Sequence, residues 1–178
     1  MRVVLGSRYR SSAAFGSKAL PIPSTWPRSA RPERTTGAPM NDEELIETLA
    51  SFSLFADLSR GEVEAVAHMF TEQWFTVDQR ILRQGFSGTG FYVILEGEAA
   101  VNIEGDELAR LRRGDFFGEA SVVLDEEPIA DVVAVTPLRC LVLPRGELQE
   151  WLMTTPAVTY RMLQAELRRL RAANRWRT

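Results

Sequence analysis

The 178 residues are 45% hydrophobic and 25% charged, which suits a folded globular domain and excludes a fibrous or wholly disordered chain. No apolar run approaches the roughly 20 residues that a membrane-spanning helix needs, and one cysteine (Cys140) with one histidine (His68) excludes a disulfide framework, an iron–sulfur cluster and a histidine-based metal site. The net charge of −3 hides a division, +6 on residues 1–39 and −9 on the rest, and an acidic body argues against general nucleic-acid binding.

Residues 1–39 carry Arg, Ser and Pro with a single acid, Glu33, and Pro21, Pro23, Pro27, Pro32 and Pro39 rule out regular structure over their later half. A disordered basic tail, an organellar leader, and sequence upstream of a working start at Met40 all remain open. From Met40 the pattern changes. Asn41 or Asp42 can cap a helix whose Leu45, Ile46, Leu49 and Phe52 share one face. Ser59-Arg60-Gly61-Glu62 reads as a capping box before Val63, Val66, Ala67 and Phe70, which leaves His68 on a partly exposed helix.

After Trp74 the period becomes two. Strands are expected at Trp74–Val77 and Arg80–Arg83, followed by a Gly-rich corner at 84–90. That corner lacks the Gly-Lys-Ser/Thr of a phosphate loop. Phe91–Leu95 reads as a buried strand broken at Glu96-Gly97. Ala99, Val101 and Ile103 alternate with Glu98, Ala100 and Asn102 as a strand with one wet face, and Glu104-Gly105-Asp106 turns it back towards Leu108–Leu111.

Gly114-Asp115 is a turn, Phe116 and Phe117 are apolar anchors, and Gly118-Glu119-Ala120-Ser121 can open a short helix. Glu119 there could accept hydrogen bonds from hydroxyl groups. Two more strands, Val132–Val135 and Leu138–Leu143, flank Thr136-Pro137, with Cys140 as a small buried strand residue. The many short strands point to a β-barrel or jelly roll. A short helix over Arg145–Leu152 precedes a final one with Pro156 at its first position. On the final helix Tyr160, Leu163, Leu167 and Leu170 recur at a coiled-coil spacing that Asn174 continues. Arg168, Arg169, Arg171, Arg175 and Arg177 crowd its end as cations on a solvated face.

Gly114-Asp115-Phe116-Phe117-Gly118-Glu119, with Pro128 and Val132 beyond it, resembles the phosphate-binding cassette of cyclic-nucleotide-binding domains, the superfamily of Crp/Fnr regulators and of cyclic-nucleotide-dependent kinase regulatory subunits. The runs Leu54-Phe55…Leu58, Gln84-Gly85 and Phe91–Gly97…Val101 extend the resemblance from about Leu54 to Arg145. It implies a mainly β jelly roll with N-terminal helices and a long C-terminal helix. It also implies a cassette ligand site over Gly118, Glu119, Ala120, Ser121, Ile129, Ala130 and Asp131, with Glu119 on the sugar hydroxyl and Phe91, Val101 and Phe117 as pocket wall. The domains expected are 1–39 as tail, 40–153 as the nucleotide-binding-like barrel, and 154–178 as a dimerisation helix through Tyr160, Leu163, Leu167 and Leu170.

The departure from the family pattern is electrostatic. The family's phosphate-binding Arg follows the Pro, where this chain has Ile129; alignment without gaps places it on Pro128. The Ser/Thr position is Asp131, and Asp125, Glu126 and Glu127 add acid nearby. Losing the Arg–phosphate pair costs ~2–5 kcal/mol. The expectation is therefore a non-enzymatic sensory module with weak or absent cyclic AMP and cyclic GMP binding, unless Arg83 or Arg113 folds into the site. No metal or cofactor is expected beyond a cyclic nucleotide or another small anion. The partners expected are a second copy of the chain and another protein, with no membrane and no nucleic acid, in the cytoplasm. The alternative is a truncated Crp/Fnr-type transcription regulator acting through its basic helix or a partner. A cupin-like enzyme is set aside because the barrel offers no histidine ligands.

Overall fold

The computed structural model describes residues 40–86 and 90–175. The leading basic segment, the tip of the Gly-rich corner and Arg177 lie outside the described residues. The first helix, α1 (Asp42–Ala50), starts at Asn41, whose Oδ1 accepts from the Glu44 amide at 2.9 Å. A 3₁₀ turn at Ser53–Phe55 leads to α2 (Arg60–Ala67), where Ser59 and Glu62 form the capping box in both directions. His68 ends α2 and is exposed. Each cap satisfies backbone donors that the first helical turn leaves unpaired.

Among the described residues, eight strands form two antiparallel four-stranded sheets. They are β1 (Thr71–Phe75), β2 (Arg80–Leu82), β3 (Gly90–Glu96), β4 (Ala99–Ile103), β5 (Asp106–Leu111), β6 (Phe116–Phe117), β7 (Asp131–Ala134) and β8 (Leu138–Pro144). One sheet runs β1-β8-β3-β6 and the other β2-β7-β4-β5, so the jelly roll is a sandwich of two open sheets. A single turn and a half of helix, α3 (Glu119–Val123), follows β6, and α4 (Arg145–Thr154) and α5 (Pro156–Arg175) follow β8. Among the described residues no helix is long and apolar enough to cross a membrane.

The first sheet is buried on both faces, which is why β3 and β8 read as continuous apolar runs. On β3, Phe91, Val93 and Leu95 face the helices, where they pack with Phe70, Phe116 and Trp151. Tyr92 and Ile94 face the second sheet and pack with Phe117, Leu138 and Cys140. Side chains alternate across the pleat, so one strand supplies two separate cores.

Three details differ from the sequence expectations. β1 starts at Thr71, because its register with β8 runs from Thr71↔Val142 to Phe75↔Leu138, and the chain beyond Phe75 turns through Asp78 at φ +64°. Phe116-Phe117 is a strand of its own, paired to Val93 and Tyr92. β4 does not alternate cleanly: Ala100 is buried beside Ala99. The turn at Glu104-Gly105 has φ of +52° and +96°, the paired positive values of a type I′ hairpin.

The first sheet also buries charge. Arg139 on β8 makes hydrogen bonds to Glu72 at 2.8–3.1 Å and to Glu96 at 3.1 Å, and its guanidinium lies 4.6 Å from the Trp74 ring centroid. The Met40 amide donates to Glu72 at 3.1 Å, tying the start of the helical layer to this cluster. Burial pushes the Cys140 thiol well above its ordinary range, which leaves it inert.

Candidate functional site

The cassette begins where β3 and β6 meet. Gly114 turns the chain at φ +84° and packs on Phe52, and Asp115 accepts from the Arg112 amide through Oδ2 at 2.8 Å. β6 then delivers Phe117 onto Tyr92, ring on ring, with centroids 4.7 Å apart and planes 4° from parallel. Gly118 follows at φ +90°, where a Cβ would sit 2.3 Å from the Gly90 carbonyl oxygen. Both the dihedral and the approach require glycine, and together they fix where Glu119 starts.

Glu119 is 7% exposed. Arg169 of α5 brings Nη1 to 3.6 Å from Glu119 Oε1, donates to Glu166 at 2.8 Å and to the Phe116 carbonyl at 2.6 Å, and lies over the Phe116 ring at 4.5 Å. Glu119 Oε2 is buried and, among the described residues, finds no hydrogen-bond partner. Loss of solvent is the main reason that its carboxyl is raised to about 7; the facing Glu166 adds to the rise, and Arg169 opposes it without prevailing.

The remaining cassette residues spread over α3, the loop after it and the start of β7. Ala120 is exposed, and the buried Ser121 spends its hydroxyl on the Gly118 carbonyl at 3.1 Å. The Ser121 carbonyl accepts from Arg145 at 3.1 Å, and Arg145 also pairs with Asp125 at 2.6 Å. Pro128 is buried and its carbonyl takes the Gly85 amide at 2.9 Å. Ile129 is 70% exposed. Asp131 accepts from the Gln84 amide at 2.8 Å and stands 3.4 Å from Arg80 Nε.

The geometry thus brings Gly118, Glu119, Ser121 and Phe117 together at the β6–α3 junction, and leaves Ile129 on a loop and Asp131 at the start of β7, held to β2. Val101 is half-buried and packs against the core between the sheets. Phe91 is not in that wall: it faces the helices, and its neighbour Tyr92 lines the space between the sheets. The pleat decides this, since Phe116 pairs with Val93 and Phe117 with Tyr92.

Neither cation expected to replace the missing Arg enters the cassette. Arg83 stacks on Phe86 at 4.2 Å, and Arg113 lies over Phe52 and donates to the Leu95 carbonyl at 2.9 Å. The cations that border the cassette are Arg80, Arg145 and Arg169, each already engaged by a carboxylate. Arg169 looked like one member of a solvated basic end. Its signal was spacing: Val158, Met162 and Ala165 form the inward face of α5, and the next inward position is Arg169. The opposite face carries Tyr160, Leu163, Leu167 and Leu170, which are 50–59% exposed.

Residues 72–155 match the family described as "Cyclic nucleotide-binding domain". The chain is 35% identical over 100 residues to the cGMP-dependent protein kinase egl-4 of Caenorhabditis briggsae, a match that covers 53% of this chain and 13% of that one. The chain therefore spans about an eighth of the length of such curated relatives. A cyclic nucleotide-binding domain from Methylobacillus flagellatus superposes with a TM-score of 0.58 at 29% identity, over 75% of this chain and 78% of that one. The regulatory subunit of a cAMP-independent protein kinase A from Trypanosoma cruzi, bound to guanosine, superposes with a TM-score of 0.58 at 25% identity, over 66% of this chain and 43% of that one.

Proposed function

On the premise that this chain belongs to the cyclic-nucleotide-binding superfamily, we propose that it is a non-enzymatic regulatory module whose cassette takes a ribosyl ligand without a cyclic phosphate, a nucleoside being the simplest case. The observation that carries this reading is the division of the cassette into a part suited to sugar and a part hostile to phosphate. Glu119 keeps one carboxylate oxygen with no partner, so a ligand hydroxyl could satisfy a buried acceptor. At the phosphate end Ile129 projects into solvent, and Asp131 stands in the Ser/Thr position with its own negative charge. An anion there would meet carboxylates and no free guanidinium. The guanosine-bound trypanosomal relative is in keeping with the same choice of ligand.

The signal would pass through α5. A hydroxyl bound to Glu119 competes with Arg169 and Glu166 for the same carboxyl and favours a state in which α5 has let go. The ligand needs only a differential affinity for that state. We infer that the outward stripe of Tyr160, Leu163, Leu167 and Leu170 pairs two copies of the chain, because its spacing is that of a coiled-coil seam and its members are half-exposed while the inward face is packed.

Calorimetry with guanosine, adenosine, cyclic AMP and cyclic GMP tests the ligand. At least one nucleoside is expected to bind, with both cyclic nucleotides roughly tenfold weaker or more. Micromolar binding of either cyclic nucleotide would refute the reading.

A further inference from the structure

The clasp between α5 and the cassette holds more negative charge than positive. The same Arg169 nitrogen, Nη1, lies 3.6 Å from Glu119 Oε1 and 2.8 Å from Glu166 Oε1. Two carboxylates therefore divide one guanidinium, and a further partner of Arg169, the Phe116 carbonyl, brings no formal charge. The Glu166 side chain is 39% exposed and water screens it, whereas that of Glu119 is 9% exposed, so the excess negative charge falls on Glu119. A buried carboxyl facing a second carboxylate takes up a proton in preference to staying ionised. The titration of Glu119 near pH 7 follows from the same burial and the same neighbour. The other elements packed on α3 do not change the balance. On α4, Arg145 is spent on the Ser121 carbonyl and on Asp125, and β3 places the Tyr92 ring beside Gly118. Among the described residues, Glu166 and Arg169 are the charged side chains that act on Glu119.

We propose that this clasp is a proton-gated latch on the cassette: α5 stays fastened while Glu119 is neutral and lets go when Glu119 gives its proton to solvent. In the fastened state a neutral Glu119, the Glu166 carboxylate and the Arg169 guanidinium sum to zero charge. Loss of the proton leaves two carboxylates on one cation in a site that excludes water, and moving α5 away returns water to Glu119. Release therefore weakens the hold of Glu119 on its proton, and by linkage a higher pH favours release. The release constant rises by up to about tenfold per pH unit between 4.5 and 7 and levels off above. The consequence for the ligand rests on the nucleoside reading: a ribose hydroxyl donates to an ionised Glu119, so uptake displaces a proton and tightens as the pH rises.

Cys140 is fully buried and its thiol inert, so spin labels are confined to introduced cysteines. Leu108→Cys on β5 and Arg171→Cys on α5 put one label on the sheets and one on the helix, both at exposed positions. Pulsed dipolar spectroscopy of the ligand-free full chain is expected to show a second distance whose population relative to the first grows roughly tenfold from pH 6 to pH 8. In Glu119→Gln, where the cassette carboxyl no longer titrates, and in Glu166→Gln, where Arg169 serves Glu119 alone, most of this dependence is expected to vanish. Should Glu119→Gln melt early, Glu166→Gln at its half-exposed position carries the same comparison. Distances that do not change with pH, or that change equally in both variants, would overturn the latch. No ligand enters this measurement, so a failure of guanosine to bind would count against the nucleoside reading and leave the latch in place.

Discussion

Arg169, towards the far end of α5, lies 3.6 Å from Glu119, the one carboxylate the cassette would use to grip a ligand. The contact is more than an ion pair, because the same guanidinium donates to the Phe116 carbonyl at 2.6 Å and covers the Phe116 ring. Replacement by alanine removes a charged hydrogen bond and a cation–π contact, about 2–3 kcal/mol together if additive. Arg169→Ala is expected to lower the urea midpoint and to speed hydrogen exchange at the amides of 116–123, while exchange in β3 and β8 stays slow. Unchanged exchange across the cassette would show that α5 does not hold it.

The raised carboxyl of Glu119 gives stability a pH dependence of definite sign. Its folded-state value is about 7 against an ordinary 4.5, so the folded chain holds a proton that the unfolded chain has released. The contribution is fully present below pH 4.5 and is lost as pH rises through 7. Between these values this group makes stability fall by up to ~1.4 kcal/mol per pH unit. Denaturant melts of the parent chain and of Glu119→Gln, compared over that window, should differ in slope, with the glutamine variant the flatter.

Restoring the absent cation tests the electrostatic account of the cassette. Ile129 is 70% exposed, so an arginine there meets no steric bar. Ile129→Arg with Asp131→Thr is expected to raise cyclic nucleotide affinity by tens- to thousands-fold, the equivalent of ~2–5 kcal/mol. Calorimetry with cyclic AMP and cyclic GMP reads the gain. No gain in a variant that melts normally would refute the electrostatic account.

The buried Arg139 offers a test of stability alone. Its two carboxylate partners, Glu72 and Glu96, would face each other uncompensated in Arg139→Ala. Breaking a buried pair by removing one partner costs about 3–5 kcal/mol. Equilibrium urea unfolding should show a loss of that order, and a loss below about 1 kcal/mol would mean that the cluster is solvated in practice.

The outward stripe of α5 predicts an assembly. Leu163→Glu with Leu167→Glu places charge in the middle of the proposed seam, at positions 54% and 50% exposed in the single chain. Light scattering after gel filtration is expected to show a dimer for the parent chain and a monomer for the variant, with the same melting profile at low concentration. A monomeric parent chain would end the idea.

Much of this architecture was legible locally. The caps at Asn41 and Ser59, the apolar runs of β3 and β8 and the Gly114–Glu119 stretch each carry their signal within a few residues. What could not be read was which side of a doubly buried sheet each residue faces. Phe91 and Tyr92 are both large and aromatic, and only the pairing of Tyr92 with Phe117 assigns them. The clasp on the cassette was hidden for a related reason. Arg169 and the Phe116 carbonyl are 53 residues apart, and one Arg among several on a helix end does not announce its partner. Spacing along the inward face of α5 was a signal, but an apolar pattern draws no attention to a charged residue that continues it.

One geometric property of α5 follows from its two fastenings. Arg161 is clamped to Asp57 by two hydrogen bonds of 2.6 and 2.7 Å, and Arg169 is fastened to the cassette further along. Eight residues of helix separate them, roughly 12 Å at 1.5 Å per residue. A swing of about ten degrees around the Asp57 end would carry Arg169 some 2 Å, enough to part it from the Phe116 carbonyl. The helix has the proportions of a lever, so a small rotation at one end is enough to part the contact at the other.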